Sequence, residues 1–230
     1  MRDPHRASEG AASEAPLGES QKLWIEGPAG RLECALRDAR PARAAAVLAH
    51  PHPLGGGTMH HPVIFHSDRE LHGAGFATLR FNFRGVGGSD GEHDEGRGEV
   101  DDLAAAASWL RGAAPGLPLV LVGFSFGSRC AVRLAPSDPA VAAVVAIGLP
   151  VLAYDLAADL RKLGKPLAVV QGSEDEFGRP DDVRGVLAAA GAEAAVTEIP
   201  GASHLFPGRV REAASAVRAA AERCLAGLLA

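Results

Sequence analysis

Along most of the chain, short continuous apolar runs alternate with amphipathic stretches, and glycine- and proline-rich segments separate them. A run of apolar residues four to eight long, bounded by turn residues, reads as a strand buried on both faces. Apolar positions spaced three and four apart read as one face of a helix. On these rules Lys22–Glu26 and Arg31–Leu36, joined by Gly27-Pro28-Ala29-Gly30, form an antiparallel hairpin at a sheet edge. Strands follow at Ala44–Ala49, Phe76–Phe83, Leu119–Val122, Val141–Ile147, Pro166–Gln171 and Ala195–Ile199. Helices fall between them at Pro62–Gly73, Glu99–Arg111, Ser128–Ala135, Leu156–Leu163 and Asp181–Ala190, with a long alanine-rich one over Arg209–Leu229 at the end. Acidic residues crowd the first turn of the Glu99 helix, where the macrodipole favours them. This alternation from residue 44 onward predicts an α/β fold, a mostly parallel sheet with helices on both faces. Residues 1–20 are polar and aperiodic and read as a disordered leader, which leaves 21–230 as one domain with no internal repeat.

One stretch carries a sharper signal. Leu119-Val120-Leu121-Val122 runs directly into Gly123-Phe124-Ser125-Phe126-Gly127, and a helical segment follows. Glycines two residues before and two after a serine permit a very tight turn that lifts the hydroxyl clear of the sheet. This is the G-x-S-x-G nucleophile elbow, and the strand–turn–helix setting is the context it requires.

Composition narrows the chemistry. The 230 residues suffice for one sizeable core, and the net charge of −5 comes without a basic block. Nothing there suits a nucleic-acid partner. Cys34, Cys130 and Cys224 are odd in number and isolated, which fits neither a disulfide framework nor a C-x-x-C metal pattern. A reduced cytoplasmic setting is the expectation. No apolar run has the length of a membrane span, and the N-terminus lacks the apolar core of a signal peptide.

A serine hydroxyl needs a base, and the base needs an orienting group. On this architecture the chain order is serine, acid, histidine. Eight of the nine histidines lie at or before His93, so His204 is the one base candidate after Ser125. It sits between the last strand and the last helix, at a strand C-terminus, where open α/β sheets bind ligands. Gln171-Gly172-Ser173-Glu174-Asp175-Glu176 offers three carboxylates after a strand; Asp175 is the choice, with Glu174 and Glu176 as alternatives. Oxyanion donors are expected from the Phe126 N–H and from the loop His50-Pro51-His52-Pro53-Leu54. Proline carries no N–H, so near the tip His52 is favoured and Leu54 comes next.

Two rival readings carry little weight. His50, His52, His60, His61 and His66 cluster in sequence, but no acid or cysteine lies among them and no zinc spacing fits, so no metal is expected. Gly85-Val86-Gly87-Gly88 lacks the full dinucleotide-loop spacing.

The strings His50–Met59, Phe81–Ser89 and Gly123–Gly127 together resemble the small, lidless bacterial α/β hydrolases. The resemblance covers residue 20 to the C-terminus. It implies an eight-stranded sheet with strand two antiparallel, a Ser125–Asp175–His204 triad, and Arg84 and Ser89 as shapers of the loop beside the oxyanion site. It implies a cofactor-independent serine hydrolase acting on small carboxylic esters or thioesters. An acyltransferase or peptidase using the same triad, or a non-catalytic binding module, are the alternatives. Only Leu149–Lys165 lies where a cap would be inserted, so an open site without a cap domain is expected. Phe124, Phe126, Leu54, Phe177, Leu205 and Tyr154 are candidate substrate walls, each equally well placed in a core. The oligomeric state is not legible.

Overall fold

The computed structural model describes residues 19–227. Most of the expected leader, and positions 228 and 229 of the expected final helix, lie outside the described residues. The eight strands are β1 (Gln21–Gly27), β2 (Gly30–Arg37), β3 (Ala44–Ala49), β4 (Phe76–Phe81), β5 (Leu119–Phe124), β6 (Val141–Ile147), β7 (Leu167–Gly172) and β8 (Ala195–Ile199). They form one sheet in the order β1-β2-β4-β3-β5-β6-β7-β8. Strand β2 runs antiparallel to both its neighbours, and every other pair from β4 onward is parallel.

Helices α1 (Pro62–Gly73) and α6 (Val210–Ala226) cover one face, and α2 (Gly98–Ala113), α3 (Phe126–Leu134), α4 (Ala157–Lys162) and α5 (Pro180–Ala190) cover the other. Each face has its own core. Strand β5 shows how one apolar run serves both: Leu119 and Leu121 enter the α2/α3 core, while Val120, Val122 and Phe124 enter the α1/α6 core. Alanines at 213, 220 and 221 line the buried side of α6 and let it lie close to the sheet.

Two boundaries move for identifiable reasons. Strand β4 stops at Phe81, two residues short of the expected end. Asn82 Oδ1 accepts the Met59 N–H and its Nδ2 donates to Glu33, while the Phe83 N–H turns to the His50 ring. The Asn82 N–H makes the last backbone bond to the Glu33 carbonyl, and at Phe83 a side chain takes the place of a strand partner. Helix α3 begins at Phe126 rather than Ser128 because the elbow turns straight into it. Between β6 and β7 there is only α4 and its flanking loops, so no cap domain covers the sheet.

His50 is wholly buried in this scaffold. Its Nδ1–H donates to the Pro51 carbonyl at 2.6 Å and its Nε2 accepts the Phe83 N–H at 3.1 Å. Burial drives its pKa down from 6.5 to about 4, against the raising effect of the Pro51 carbonyl. The folded protein therefore excludes a proton that the unfolded chain accepts below about pH 6.5. This group's contribution is complete above that pH and is lost as the pH falls toward 4, by up to about 3 kcal/mol. Urea midpoints measured from pH 7 to 4.5 should fall steeply for wild type and less steeply for His50→Asn. Parallel curves would show that His50 does not set the slope.

Candidate active site

The parallel strands deliver their C-terminal loops to one end of the sheet, and Ser125, Asp175 and His204 all lie there. Ser125 sits between β5 and α3 with φ 53° and ψ −114°, a left-handed backbone that a non-glycine residue rarely adopts. Such a conformation costs on the order of 1–3 kcal/mol and persists only where the surroundings enforce it. They enforce it here through the flanking glycines. A Cβ on Gly127 would collide with the backbone of Ala49, and one on Gly123 would collide with the backbone of Gly127. The chain crosses itself too closely for any side chain at either position.

Two loops are joined to bring the acid and the histidine to the serine. After β7, the Ser173 N–H donates to the Ile199 carbonyl and the Glu174 N–H to the Ala202 carbonyl. Ser173 Oγ accepts the Gly201 N–H at 2.7 Å. Gly172 has backbone of Ala202 where a Cβ would stand, so this approach also requires a glycine. Across the joined loops His204 Nδ1 lies 2.9 Å from each oxygen of the buried Asp175 carboxylate. His204 Nε2 lies 2.8 Å from Ser125 Oγ. The carboxylate places the imidazole proton on Nδ1 and leaves Nε2 as an acceptor for the serine O–H. Glu176 accepts the His204 backbone N–H at 3.2 Å, so it braces the loop rather than the ring. Its own backbone N–H and that of His204 hold its carboxyl below the ordinary range, although burial opposes this. Glu174 is exposed and contributes only its backbone N–H to the joined loops.

Sequence reasoning missed Gln171. It is buried, its Nε2 donates to Asp175 Oδ2 at 2.8 Å and to the Gly178 carbonyl at 2.7 Å, and its Oε1 accepts the Leu149 N–H. With the Phe177 N–H on Oδ1 at 2.9 Å, it fixes the carboxylate plane. A polar residue closing an otherwise apolar strand was the available signal. Gly148 was also missed: a Cβ there would press on the His204 and Phe124 rings.

The α/β hydrolase domain family matches residues 42–226. The chain belongs to it. A lidless α/β serine hydrolase from Xanthomonas campestris is 32% identical and superposes with a TM-score of 0.79, covering 91% of this chain and 97% of that one. An α/β serine hydrolase homologue from Coxiella burnetii is 31% identical with a TM-score of 0.81, covering 89% of this chain and 99% of that one. An uncharacterized protein of Rickettsia prowazekii is 34% identical over 206 residues, 85% of this chain and 86% of the relative. These serine hydrolase neighbours support hydrolase activity for this α/β hydrolase. No described helix is long and apolar enough to cross a membrane.

Around Ser125 the hydrolase places the remaining expected residues unequally. The Phe126 N–H is the first of helix α3, where backbone donors lack intrahelical partners. In the β3 loop, His52 Nδ1 accepts the Leu54 N–H at 3.2 Å. That bond occupies the Leu54 donor, and among the described residues no acceptor is recorded for the His52 N–H. The Phe124 ring is fully buried between the His61 and His204 rings. The Phe126 ring is buried beneath His52 and His93. These two are core behind the site, a correction to their reading as walls. Leu54, Phe177 and Leu205 are exposed, and so is Leu152, which sequence reasoning passed over; its N–H donates to the Phe177 carbonyl.

The clustered histidines take separate roles. His50 is interior, while His52 and His61 each accept a backbone N–H two residues on. Burial lowers the pKa of His52, with His93 and Arg129 adding to the effect, and that of His61, with His204 adding to it. Arg84 forms a two-pronged contact with Asp102, and Ser89 Oγ links the Asn82 carbonyl to the Glu33 N–H. Both hold the β4 loop in place. A cleft of about 920 Å³ lined by Leu160, Lys165, Arg184 and Leu187 opens where β7 and β8 begin, at the other end of the sheet from Ser125.

Proposed function

We propose that the protein hydrolyses carboxylic esters or thioesters of small molecules through an acyl-enzyme on Ser125. The supporting observation is the continuous hydrogen-bonded line from Ser125 Oγ through the His204 ring to buried Asp175. As Ser125 Oγ bonds to the ester carbonyl carbon, its proton passes to His204 Nε2. The electron pair of the C=O bond moves onto oxygen, which the Phe126 and His52 N–H groups face. One such donor is worth about 3–4 kcal/mol in the transition state. Asp175 stabilises the imidazolium, the ester C–O or C–S bond breaks, and His204 returns the proton to the departing alcohol or thiol. Water then attacks the acyl-enzyme by the same route, releasing the acid and restoring Ser125. These steps use the chain's own side chains and backbone throughout.

The exposed rim of Leu54, Leu152, Phe177 and Leu205, with no cap above it, suits substrates that enter an open site. A fluorophosphonate probe should label the folded wild type and leave Ser125→Ala unlabelled. Equal labelling of both, or none of folded wild type, would overturn the assignment of the nucleophile.

A further inference from the structure

One cation on the helix that follows Ser125 has no carboxylate partner among the described residues. Arg129 lies one turn into α3, and its backbone N–H donates to the Ser125 carbonyl. Its side chain is half-buried, with the guanidinium carbon 4.5 Å from the centroid of the Tyr154 ring and 5.9 Å from that of Phe126. The Phe126 ring in turn lies 4.9 Å from the ring of His52. Arg129 is therefore joined to the site by a continuous line of side chains. Of its five N–H donors, one reaches a described acceptor: Nη1 donates to the Glu95 carbonyl at 3.0 Å. No carboxylate among the described residues pairs with it.

The surrounding charges are already accounted for. Asp94 and Glu95 contact Arg97, and Glu99 takes the N–H groups of Asp94 and Gly96 and faces His93. Arg133, one turn further along α3, lies 3.6 Å from Asp159. Among the described residues Arg129 is left without a carboxylate, held in a built seat. Gly96 has φ +85°, and a Cβ there would press on Arg129 Nη1 and on the Phe126 ring. The aromatic face and the Glu95 carbonyl fix the plane of the guanidinium, which leaves its fork pre-organised for a bidentate anion.

We propose that Arg129 is a specificity residue that binds a carboxylate carried by the ester substrate, so that the preferred substrates are half-esters or acidic esters. With its neighbours Arg97 and Arg133 already paired, this single fork matches a carboxylate monoanion better than a phosphate dianion. This rests on the serine hydrolase reading, and the test separates the two.

Rates of kcat/KM are to be compared for mono-p-nitrophenyl glutarate against p-nitrophenyl butyrate, and for 4-acetoxybenzoate against phenyl acetate. Wild type should favour the acidic member of at least one pair tenfold or more. Arg129→Gln should bring that ratio near one, Arg129→Lys should keep part of it, and Arg161→Gln, at the distant cleft, should leave it unchanged. No acidic preference in wild type, or the same preference in Arg129→Gln, overturns the proposal. Calorimetry with monomethyl glutarate on Ser125→Ala, and on that variant with Arg129→Gln added, reads the anion site without turnover. A tenfold or greater loss of affinity supports the proposal even if no ester is cleaved, a result that would overturn the hydrolase reading alone. Equal affinities, or no binding to either, overturn it. Thermal unfolding of each variant shows whether it is folded when assayed.

Discussion

Replacing His204 with alanine is expected to lower kcat by roughly a millionfold on whichever p-nitrophenyl ester the enzyme turns over fastest, a loss typical of removing one member of a coupled nucleophile–base pair. The size follows from coupling. In the proposed reaction Ser125 Oγ gives its proton to His204 Nε2, 2.8 Å away, and both imidazole nitrogens are committed to the line of hydrogen bonds. Without the ring the hydroxyl stays protonated at neutral pH, and only the oxyanion donors and substrate binding remain. The double variant Ser125→Ala/His204→Ala should then be no slower than either single one. A graded series should follow the line of hydrogen bonds outward. Asp175→Asn, which favours the wrong imidazole tautomer, should cost about 10⁴-fold. Gln171→Leu, which frees the carboxylate plane but keeps its charge, should cost roughly tenfold, as one hydrogen bond to a charged group would suggest. Retention of more than a tenth of wild-type activity in His204→Ala would place the base elsewhere.

Much of this line was legible because each part has a sequence signature that follows from its geometry. The strained φ at Ser125 needs Gly123 and Gly127 around it, so the elbow announces itself. The order of serine, acid and histidine left a single histidine, His204, after the elbow. Alternation of apolar runs placed all eight strands, because strands buried on both faces have little freedom in composition. The choice among Glu174, Asp175 and Glu176 was less legible, since it depends on which side chain faces inward once two loops from separate strands are joined. Tertiary contacts with no local pattern were invisible. Gln171 looked like the polar end of a strand, and nothing in the local pattern singled out Arg129. Phe124 and Phe126 follow the core alternative rather than the wall reading, because the residues flanking the half-buried Ser125 turn their own side chains back into the two cores.

The largest stability effect is expected at a residue with no sequence signature at all. Asp68, on α1, is fully buried between two arginines of the sheet. Arg37 Nε donates to its Oδ2 at 2.7 Å, and Thr78 Oγ1 donates to its Oδ1. Arg80 Nε lies 2.8 Å from Oδ2 without hydrogen-bond alignment, so that contact is an ion pair alone. Arg80 is held mainly through Nη1, which donates to the Met59 carbonyl at 2.8 Å. Its pKa is lowered by burial, with Arg37 adding to the effect and Asp68 opposing it. Removing the carboxylate takes away the anion that two buried guanidinium groups share, and breaking a buried pair of this kind typically costs about 3–5 kcal/mol. Asp68→Ala should therefore lose about that much in urea unfolding followed by circular dichroism, with Asp68→Asn losing less because it retains an acceptor. The ion pairs themselves are not a net source of stability, since their desolvation offsets most of the attraction. Replacing all three charges with apolar residues of similar size should then restore most of what the single change removes. A loss under about 1 kcal/mol in Asp68→Ala, far below the range for a broken buried pair, would show that the arginines find water or new partners. The cluster would then be peripheral to the union of α1 with β2 and β4.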